Sequence, residues 1–492
     1  MQDTQLPRRL AGLTFDNSFV RELPADPRAG SERRTISQAL FSRVSPIAAS
    51  KPKLIGYSAD VAGSLGLQSS DVEDPAFTEL FAGNRLLDDM DPYASCYGGH
   101  QFGNWAGQLG DGRAINLGEV IQADGQRVTL QLKGAGPTPY SRTADGLAVL
   151  RSSLREFVCS EAMHHLGVPT TRALSLITTG DSVVRDMLYD GHPAPEPGAV
   201  VCRVAPSFTR FGHFQMLAAR QEQALLQQFI DYTVRYDFAH LLDAAAPGSA
   251  ALGLALFEEI CERTAVMVAH WMRVGFVHGV MNTDNMSVLG LTIDYGPYGW
   301  LEDYDPDWTP NTTDAGSRRY RFGHQPAVAQ WNLLQLANAL HTLIPDAPAF
   351  EGMLKNFETR YLQLWQETML AKLGLTGVAD GGDVGLIRKL DDVLQSTETD
   401  MTLFYRGLAN LSIDTDLEMD PLIVLQDAFY QPEAMTEEIR GRFRHWLDVY
   451  QRRVRVDAAD PATRRERMNA VNPLYVPRNY LAQLAIDAAE QG

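Results

Sequence analysis

The chain has 492 residues, of which 45% are hydrophobic and 21% are charged, a composition typical of a soluble globular protein. Its 61 acidic residues outnumber its 43 basic residues, and the resulting formal charge of -18 disfavours partners such as nucleic acid or an anionic membrane surface. No apolar run approaches the roughly 20 residues of a membrane span, the start lacks a secretory signal pattern, and the four cysteines form no CxxC pair, so a cytoplasmic location is expected.

In chain order, signals for short strands precede signals for long helices. A glycine-rich stretch at 91–112 is followed by two alternating segments, 114–122 and 127–133, joined by an Asp-Gly pair that favours a hairpin. Apolar residues then recur at helical spacing in 147–166 and 252–274. Further helical segments follow from about residue 326, among them 331–343, 350–373 and 432–453.

The first half of the chain carries the parts that hold nucleotide phosphates in protein kinases. These are a glycine-rich loop at 107–112, a lysine on a following strand, Lys133, and a glutamate on the next helix, Glu156. The lysine supplies positive charge to phosphate oxygens, and the glutamate holds the lysine by ion pairing. Each feature alone is also compatible with an ordinary loop or a solvent-facing side chain, so the order of the three makes the case.

The second half repeats the spacing of a kinase catalytic loop. Asn285 lies seven positions after His278, and Asp294 opens an Asp-Tyr-Gly triplet nine positions later. Their oxygen atoms are the hard ligands that Mg²⁺ prefers. The alternative for Asp294 is a turn-forming aspartate before glycine.

One kinase residue is missing from this loop. Val280 stands two positions after the histidine, where a kinase has its catalytic aspartate, and valine cannot accept a proton. Asp284 is the nearest carboxylate that could replace it. The alternative for Asp284 is a structural cap of the loop.

An acidic chain needs a local group of cations to bind a polyanion such as ATP. Arg113 follows the glycine loop, and Arg203 and Arg210 flank a segment that contains Pro206. Arginine binds phosphate oxygens in a bidentate manner and stays charged when partly buried. Surface ion pairs are the alternative for each of the three.

These signals together predict an α+β, protein-kinase-like bilobal fold, with a small mixed N-terminal lobe, a larger helical C-terminal lobe and a cleft between them. The predicted divisions are an N-terminal extension at 1–90, the small lobe with the glycine-rich loop, lysine and glutamate helix at 91–215, and the helical lobe with the catalytic loop and metal site at 216–492.

Four long motifs, in this order, resemble the selenoprotein O family. They are Tyr97–Gly103, Gln108–Ala114, Leu132–Arg142 and His278–Gly296. The resemblance extends from about residue 35 to Tyr480 and so covers nearly the whole chain. It implies a pseudokinase fold that binds ATP in a flipped orientation and transfers AMP to Ser, Thr or Tyr hydroxyls of proteins, possible acceptors including the chain itself, with release of pyrophosphate.

The resemblance also implies roles for residues that match the family's motifs. Asp284 would be the catalytic base, and Asn285 and Asp294 would bind Mg²⁺, with Mn²⁺ as an alternative. The phosphates would be bound by Arg113, Lys133 with Glu156, Arg203 and Arg210, and the nucleotide site would be lined by Gly110, Gly112, Asp145 and Gly146.

One departure from the family pattern concerns the C-terminus, where members commonly carry a cysteine or selenocysteine. No cysteine follows Cys261 here, so either the sequence is truncated or the chain is a variant without that element, and the sequence supports no prediction about redox regulation. Two other functions stay open from the residues alone. They are an atypical kinase that transfers the γ-phosphate and an inactive ATP-binding scaffold.

Overall fold

The computed structural model describes residues 7–186, 191–377, 381–413, 420–457 and 460–491. The chain forms a mixed α+β fold around an antiparallel sheet. The strands in these residues are β1 (Phe41–Arg43), β2 (Lys53–Tyr57), β3 (Tyr93–Ser95), β4 (Gly98–Gln101), β5 (Asn104–Gln108), β6 (Ala114–Ile121), β7 (Arg127–Lys133), β8 (Arg172–Arg185), β9 (Ala194–Ala205), β10 (Phe276–Val277) and β11 (Gly299–Trp300).

The main sheet has seven strands in the order β1-β3-β6-β7-β9-β8-β2, and every neighbouring pair is antiparallel. Its centre is the predicted β6–β7 hairpin, in which the turn glycine Gly125 has a φ of 83°. The alternating residues Val128, Leu130 and Leu132 are buried as expected. The opposite face of β7 is buried as well, so Lys133 is 8% exposed instead of facing solvent.

In the described residues the helices before β3 have five to seven residues each, and the longest helices follow β9. The helices are α1 (Ser18–Glu22), α2 (Ala59–Ser64), α3 (Ser69–Glu73), α4 (Pro75–Phe81), α5 (Leu150–His165), α6 (Phe211–Ala219), α7 (Gln223–Asp237), α8 (Ala250–Val274), α9 (Gln325–His341), α10 (Ala347–Lys372), α11 (Gly381–Leu394), α12 (Met401–Leu408), α13 (Glu437–Asp457), α14 (Pro461–Val471) and α15 (Asn479–Gln491). In the described part of the chain, none is long and apolar enough to cross a membrane.

The helices predicted from periodicity are present, with small shifts at their ends. The helix predicted at 252–274 is α8, which Gly275 ends in the left-handed conformation with a φ of 75°. The helix predicted from Pro432 starts only at Glu437, since Pro432–Ala434 form a separate short 3₁₀ turn. The last residue of the predicted helical lobe, Gly492, lies outside the described residues.

Helices cover both faces of the main sheet. Side chains of α2 and α4 pack with Leu117, Leu130 and Leu132 on one face. On the other face Leu150 and Leu154 of α5 pack against β8 and β9, and α15 lies against α5. The last helix of the chain therefore packs against the helix that carries Glu156.

Residues before position 90 form both edges of the main sheet. β1 pairs with β3 at one edge, and β2 pairs with β8 at the other. These two edge strands therefore belong to the same sheet as the strands of residues 91–215. Short strands of three and five residues carry too little alternation to be recognised from sequence.

A buried charged cluster joins the N-terminal residues to the sheet and to α7. Arg127 Nη1 lies 2.9 Å from Glu119 Oε1, and Arg127 Nη2 lies 3.2 Å from Asp237 Oδ1. Ser18 donates to the other oxygen of Glu119 at 2.9 Å. Burial raises the pKa of Asp237 to about 6, and the charge of Arg127 opposes that shift. Arg127 is therefore the cation that pairs with both buried carboxylates.

Arg127→Met is expected to lower the free energy of unfolding by about 3 kcal/mol, because it leaves Glu119 and Asp237 buried without their cation. The matched control is Arg235→Met, which removes an exposed pair with Glu22 and costs less than about 1 kcal/mol. Urea denaturation of both variants measures the difference. Equal midpoints for the two variants would contradict the assignment.

Candidate active site

A cavity of about 760 Å³ lies where the main sheet meets the helical part of the chain. Residues of the glycine-rich stretch, β7, β9 and the loop between β10 and β11 line it together. Among the residues predicted to form the site, those on its wall are Gly110, Gly112, Arg113, Lys133, Asp145, Gly146, Arg203, Arg210, Asp284, Asn285 and Asp294. Glu156 lies behind the wall, against Lys133.

Two glycines of the wall fit only because they have no side chain. Gly110 has a φ of +106°, and a Cβ atom there would lie 2.7 Å from the carbonyl oxygen of Ser95. A Cβ atom at Gly112 would lie 2.9 Å from the carbonyl oxygen of Tyr140. The backbone can therefore pass between neighbouring segments and reach the cavity.

Lys133 and Arg203 share the carboxylate of Glu156. Lys133 Nζ lies 2.5 Å from Glu156 Oε2, and Arg203 Nη1 lies 2.9 Å from Glu156 Oε1. Burial lowers the pKa of Lys133, and the charge of Glu156 opposes that shift. Gln131, on the same face of β7, accepts a further hydrogen bond from Arg203. Glu156 thus holds the lysine at the cavity wall, and Arg203, itself bonded to Gln131, supports Glu156.

Asp294 is the carboxylate on which the cations converge. Arg203 Nη1 lies 2.6 Å from Asp294 Oδ1, Lys133 Nζ lies 3.6 Å from the same oxygen, and Arg210 binds Oδ2. Burial alone would raise the pKa of Asp294, but Arg210, Arg203 and Lys133 hold it well below its usual value. The backbone of Asp294 is left-handed, with a φ of 60°, as the residue before a tight turn.

A second carboxylate of the cavity, that of Asp284, forms no ion pair with any lysine or arginine in the described part of the chain, although Arg210 donates to its backbone carbonyl at 2.8 Å. Its carboxylate accepts from Gln101 Nε2 at 3.1 Å, and its Oδ1 is buried without a hydrogen-bond partner. Burial raises the pKa of Asp284 to about 6, and the hydrogen bond from Gln101 opposes that shift. The pKa values of Asp284 and Asp294 are therefore shifted in opposite directions, the pattern expected when one carboxylate accepts a proton and the other stays ionised.

The β4–β5 hairpin holds the loop that carries Asp284. The amide of His100 donates to Thr283 Oγ1 at 2.7 Å, and the amide of Phe102 donates to Asn282 Oδ1 at 3.2 Å. Gly99 lies against Asp284 so closely that a Cβ atom there would be 2.5 Å from Oδ1. The hairpin therefore sets the position of the carboxylate.

His278 supports the loop from inside. Its Nδ1 accepts from the amide of Val280 at 3.3 Å, so its Nε2 donates to the carbonyl of Ile293 at 2.9 Å. Burial lowers the pKa of His278, which keeps the ring neutral. The histidine thus ties Val280 to Ile293, the residue before Asp294, and Val280 itself lines the cavity.

Asn285 and Asp294 supply the oxygen atoms that suit a magnesium ion. Asn285 Nδ2 donates to the carbonyl of Val280 at 2.9 Å, which leaves its Oδ1 as the acceptor at the cavity. Within the described ranges no group of three or more His, Cys, Asp or Glu residues could hold a metal by itself. One carboxylate and one amide oxygen therefore fit an ion whose other ligands are phosphate oxygens and water.

Asp145 and Gly146 lie at the outer rim of the cavity. Asp145 Oδ1 lies 2.8 Å from Arg185 Nη2, and this hydrogen bond lowers the pKa of Asp145.

Arg113, also at the wall, makes no ion pair or side-chain hydrogen bond with the residues the structure describes.

Three polar residues of the wall are examples of those that the sequence did not single out. They are Gln101, Arg142 and Arg185. Gln101 and Arg142 lie within motifs shared with the selenoprotein O family, which was the available signal. No sequence signal indicates Arg185, because its place at the cavity depends on the pairing of β8 with β9.

Comparison with known proteins identifies the family. The sequence model described as protein adenylyltransferase SelO matches residues 30–492. Proteins named protein nucleotidyltransferase YdiU are 59% identical in Azoarcus sp. (strain BH72) and 57% identical in Rhodopirellula baltica, and each alignment covers 98% of this chain and 91% of the relative. A protein of the same name from Xanthomonas axonopodis pv. citri is 58% identical, over 98% of this chain and 90% of the relative. The chain therefore belongs to the SelO family of protein adenylyltransferases.

Proposed function

We propose that this nucleotidyltransferase, whose substrates are ATP and proteins, transfers AMP to Ser, Thr or Tyr hydroxyls with Asp284 as the base. One observation carries the proposal. Asp284 and Asp294 line the same cavity, the pKa of one carboxylate is raised and that of the other is lowered, and Val280 occupies the place of the kinase base.

The cations of the wall would bind the triphosphate. Lys133, Arg203 and Arg210 are buried and already oriented by Glu156 and Asp294, so little order is lost when phosphate oxygens arrive. Arg113 would add a cation from the rim. Fixed positive charge beside the reacting phosphate stabilises the negative charge that develops in transfer.

Asp284 would accept the proton of the acceptor hydroxyl. The hydroxyl oxygen forms a bond to the α-phosphorus, the bond from that phosphorus to the bridging oxygen of the β-phosphate breaks, and pyrophosphate leaves. Gln101 and Gly99 hold the carboxylate during this step. Mg²⁺, or Mn²⁺, bound by Asn285 and Asp294 would neutralise phosphate charge.

The kinase-like division into two lobes also belongs to this proposal. Lys133 on the sheet, Glu156 on α5 and Asp294 beyond β10 are in contact in the same way as their counterparts in a kinase site. We assign the small lobe to 91–215, the helical lobe to 216–492 and the extension to 1–90.

The four cysteines are buried and unpaired, which supports a reducing cytoplasm as the location.

The direct test supplies ATP labelled at the α- or the γ-phosphate and follows label in protein. We expect label from the α position only, and a loss of at least about 100-fold in rate for Asp284→Asn, as for removal of a general base. Asp448→Asn, at an exposed pair on α13, is the matched control. Label from the γ position alone would indicate the atypical kinase.

The pH dependence of kcat/KM is expected to follow the ionisation of the Asp284 carboxylate. Because the base must be ionised and burial raises its pKa to about 6, activity is expected to rise with pH through about 6 and then level off. Initial rates of AMP transfer at saturating Mg²⁺ between pH 4.5 and 8 measure the curve. A rate that stays flat down to pH 4.5 would rule out Asp284 as the titrating base.

Gly99→Ala is expected to abolish most AMP transfer while ATP still binds, because the added methyl would displace the Asp284 carboxylate. Equilibrium binding of ATP and the rate of α-label transfer separate the two effects. Gly63→Ala is the control, since Gly63 lies in α2 and a Cβ atom there has no neighbour within 4 Å. Normal transfer in the Gly99 variant would show that the hairpin does not fix the base.

A further inference from the structure

An aromatic and basic strip lies on the hairpin side of Asp284. We call it the hairpin surface and define it by His100, Trp105, Arg318, Arg319 and Trp331. Trp105 is 41% exposed and is the one exposed tryptophan in the part of the chain that is described. Ring centroids of Trp105 and His100 are 5.1 Å apart, those of His100 and Trp331 are 5.5 Å apart, and the Arg319 guanidinium lies 4.6 Å from the Trp331 centroid. The strip is therefore continuous.

The same hairpin contacts both the strip and the base. Gln101, next to His100, donates to Asp284, while Gly103 at the turn lies against Arg319, with 3.6 Å from a Cβ atom built there to the guanidinium carbon. Gln101 and Gly103 are two residues apart. Since an extended chain advances about 3.3 Å per residue, the strip is within reach of residues two to four positions from a hydroxyl bound at Asp284.

The arginines of the strip have no acidic partner. Neither Arg318 nor Arg319 forms an ion pair with any described residue, whereas the nearby Arg321 pairs with Asp307 at 2.8 Å. Arg319 Nε is buried without a hydrogen-bond partner. In a chain with a net charge of -18, two adjacent arginines beside the hairpin that have no carboxylate partner among the described residues favour an acidic ligand at this surface.

The turn that presents these arginines is built by a buried aspartate. Asp314 accepts from the amides of Arg319 at 3.0 Å and Tyr320 at 2.7 Å, and its carbonyl accepts from the amide of Arg318 at 2.7 Å. Tyr320 in turn donates to Asn282 Oδ1 at 2.6 Å, in the loop of Asp284. The arginines are thus fixed relative to the base.

We propose that the hairpin surface binds the acceptor protein, and that it selects a segment with Asp or Glu side chains two to four residues from the modified hydroxyl. Arg318 and Arg319 pair with these carboxylates, and Trp105 packs against the chain between them. This inference rests on the proposed function, and names the class of acceptor for the same site.

The test uses two peptides with one central serine, flanked at two to four residues by Glu in one and by Lys in the other. Transfer of α-label from ATP gives kcat/KM for each. Each exposed arginine–carboxylate pair changes affinity by up to about fivefold, so we expect wild type to favour the Glu peptide by about tenfold. This preference should fall at high salt, because salt screens ion pairs on an exposed surface.

Arg318→Glu is expected to remove or reverse the preference without changing KM for ATP. Arg465→Glu is the matched control, because Arg465 is exposed on α14 and lies away from the cavity wall. Trp105→Ala should raise KM for both peptides and leave their ratio unchanged. That combination separates charge selection from general packing.

Equal kcat/KM for the two peptides in wild type would overturn the inference, as would equal effects of the Arg318 and Arg465 substitutions. Self-labelling of wild type without labelling of the Glu peptide would overturn it as well. In each of these cases the proposed AMP transfer stands. If wild type moves no α-label to the peptides or to itself, the proposed function fails and this inference fails with it.

Discussion

The shared carboxylate of Asp294 is the contact on which the geometry of the site depends. It joins Arg203 on β9, Lys133 on β7 and Arg210 at the start of α6 to the loop that follows the candidate base. A buried carboxylate and buried cations are each costly alone, and they become tolerable only when paired with good geometry. The sheet and the helical part are therefore held in one relative position at the cavity, where phosphate groups would bind.

The hairpin of β4 and β5 supplies the second constraint. The backbone amides of His100 and Phe102 donate to the side chains of Thr283 and Asn282. The side chain of Gln101 donates to Asp284. Because the hairpin has no large side chain at Gly99, it can approach the Asp284 carboxylate closely enough to bury it. Burial then raises the pKa of that carboxylate, so the packing of the hairpin and the acid–base property of Asp284 have the same physical origin.

Local patterns made part of this arrangement predictable from the sequence. The β6–β7 hairpin and α8 follow from alternation, an Asp-Gly turn and a terminal glycine, all of which act over a few residues. The places of Lys133, Glu156 and Asp294 follow from motif spacing. The edge strands β1 and β2 could not be foreseen, because each is short and pairs with a strand more than 50 residues away. The contact of Gln101 with Asp284 spans 183 residues and left no trace in any local pattern.

The charges of the wall explain how an acidic protein can keep a site for a polyanion. Lys133, Arg203 and Arg210 are balanced by the carboxylates of Glu156, Asp294 and the buried Asp111, which lies 3.8 Å from Arg210. The three cations and three carboxylates nearly cancel in charge when no ligand is bound, so none of these buried cations is left without a partner. The excess positive charge comes from Arg113 and Arg142, which are exposed at the cavity and form no ion pair with the described residues. In the proposed site, the charge of a nucleotide would therefore be met first by the exposed Arg113 and Arg142, and then by the buried cations that Glu156 and Asp294 already hold in place.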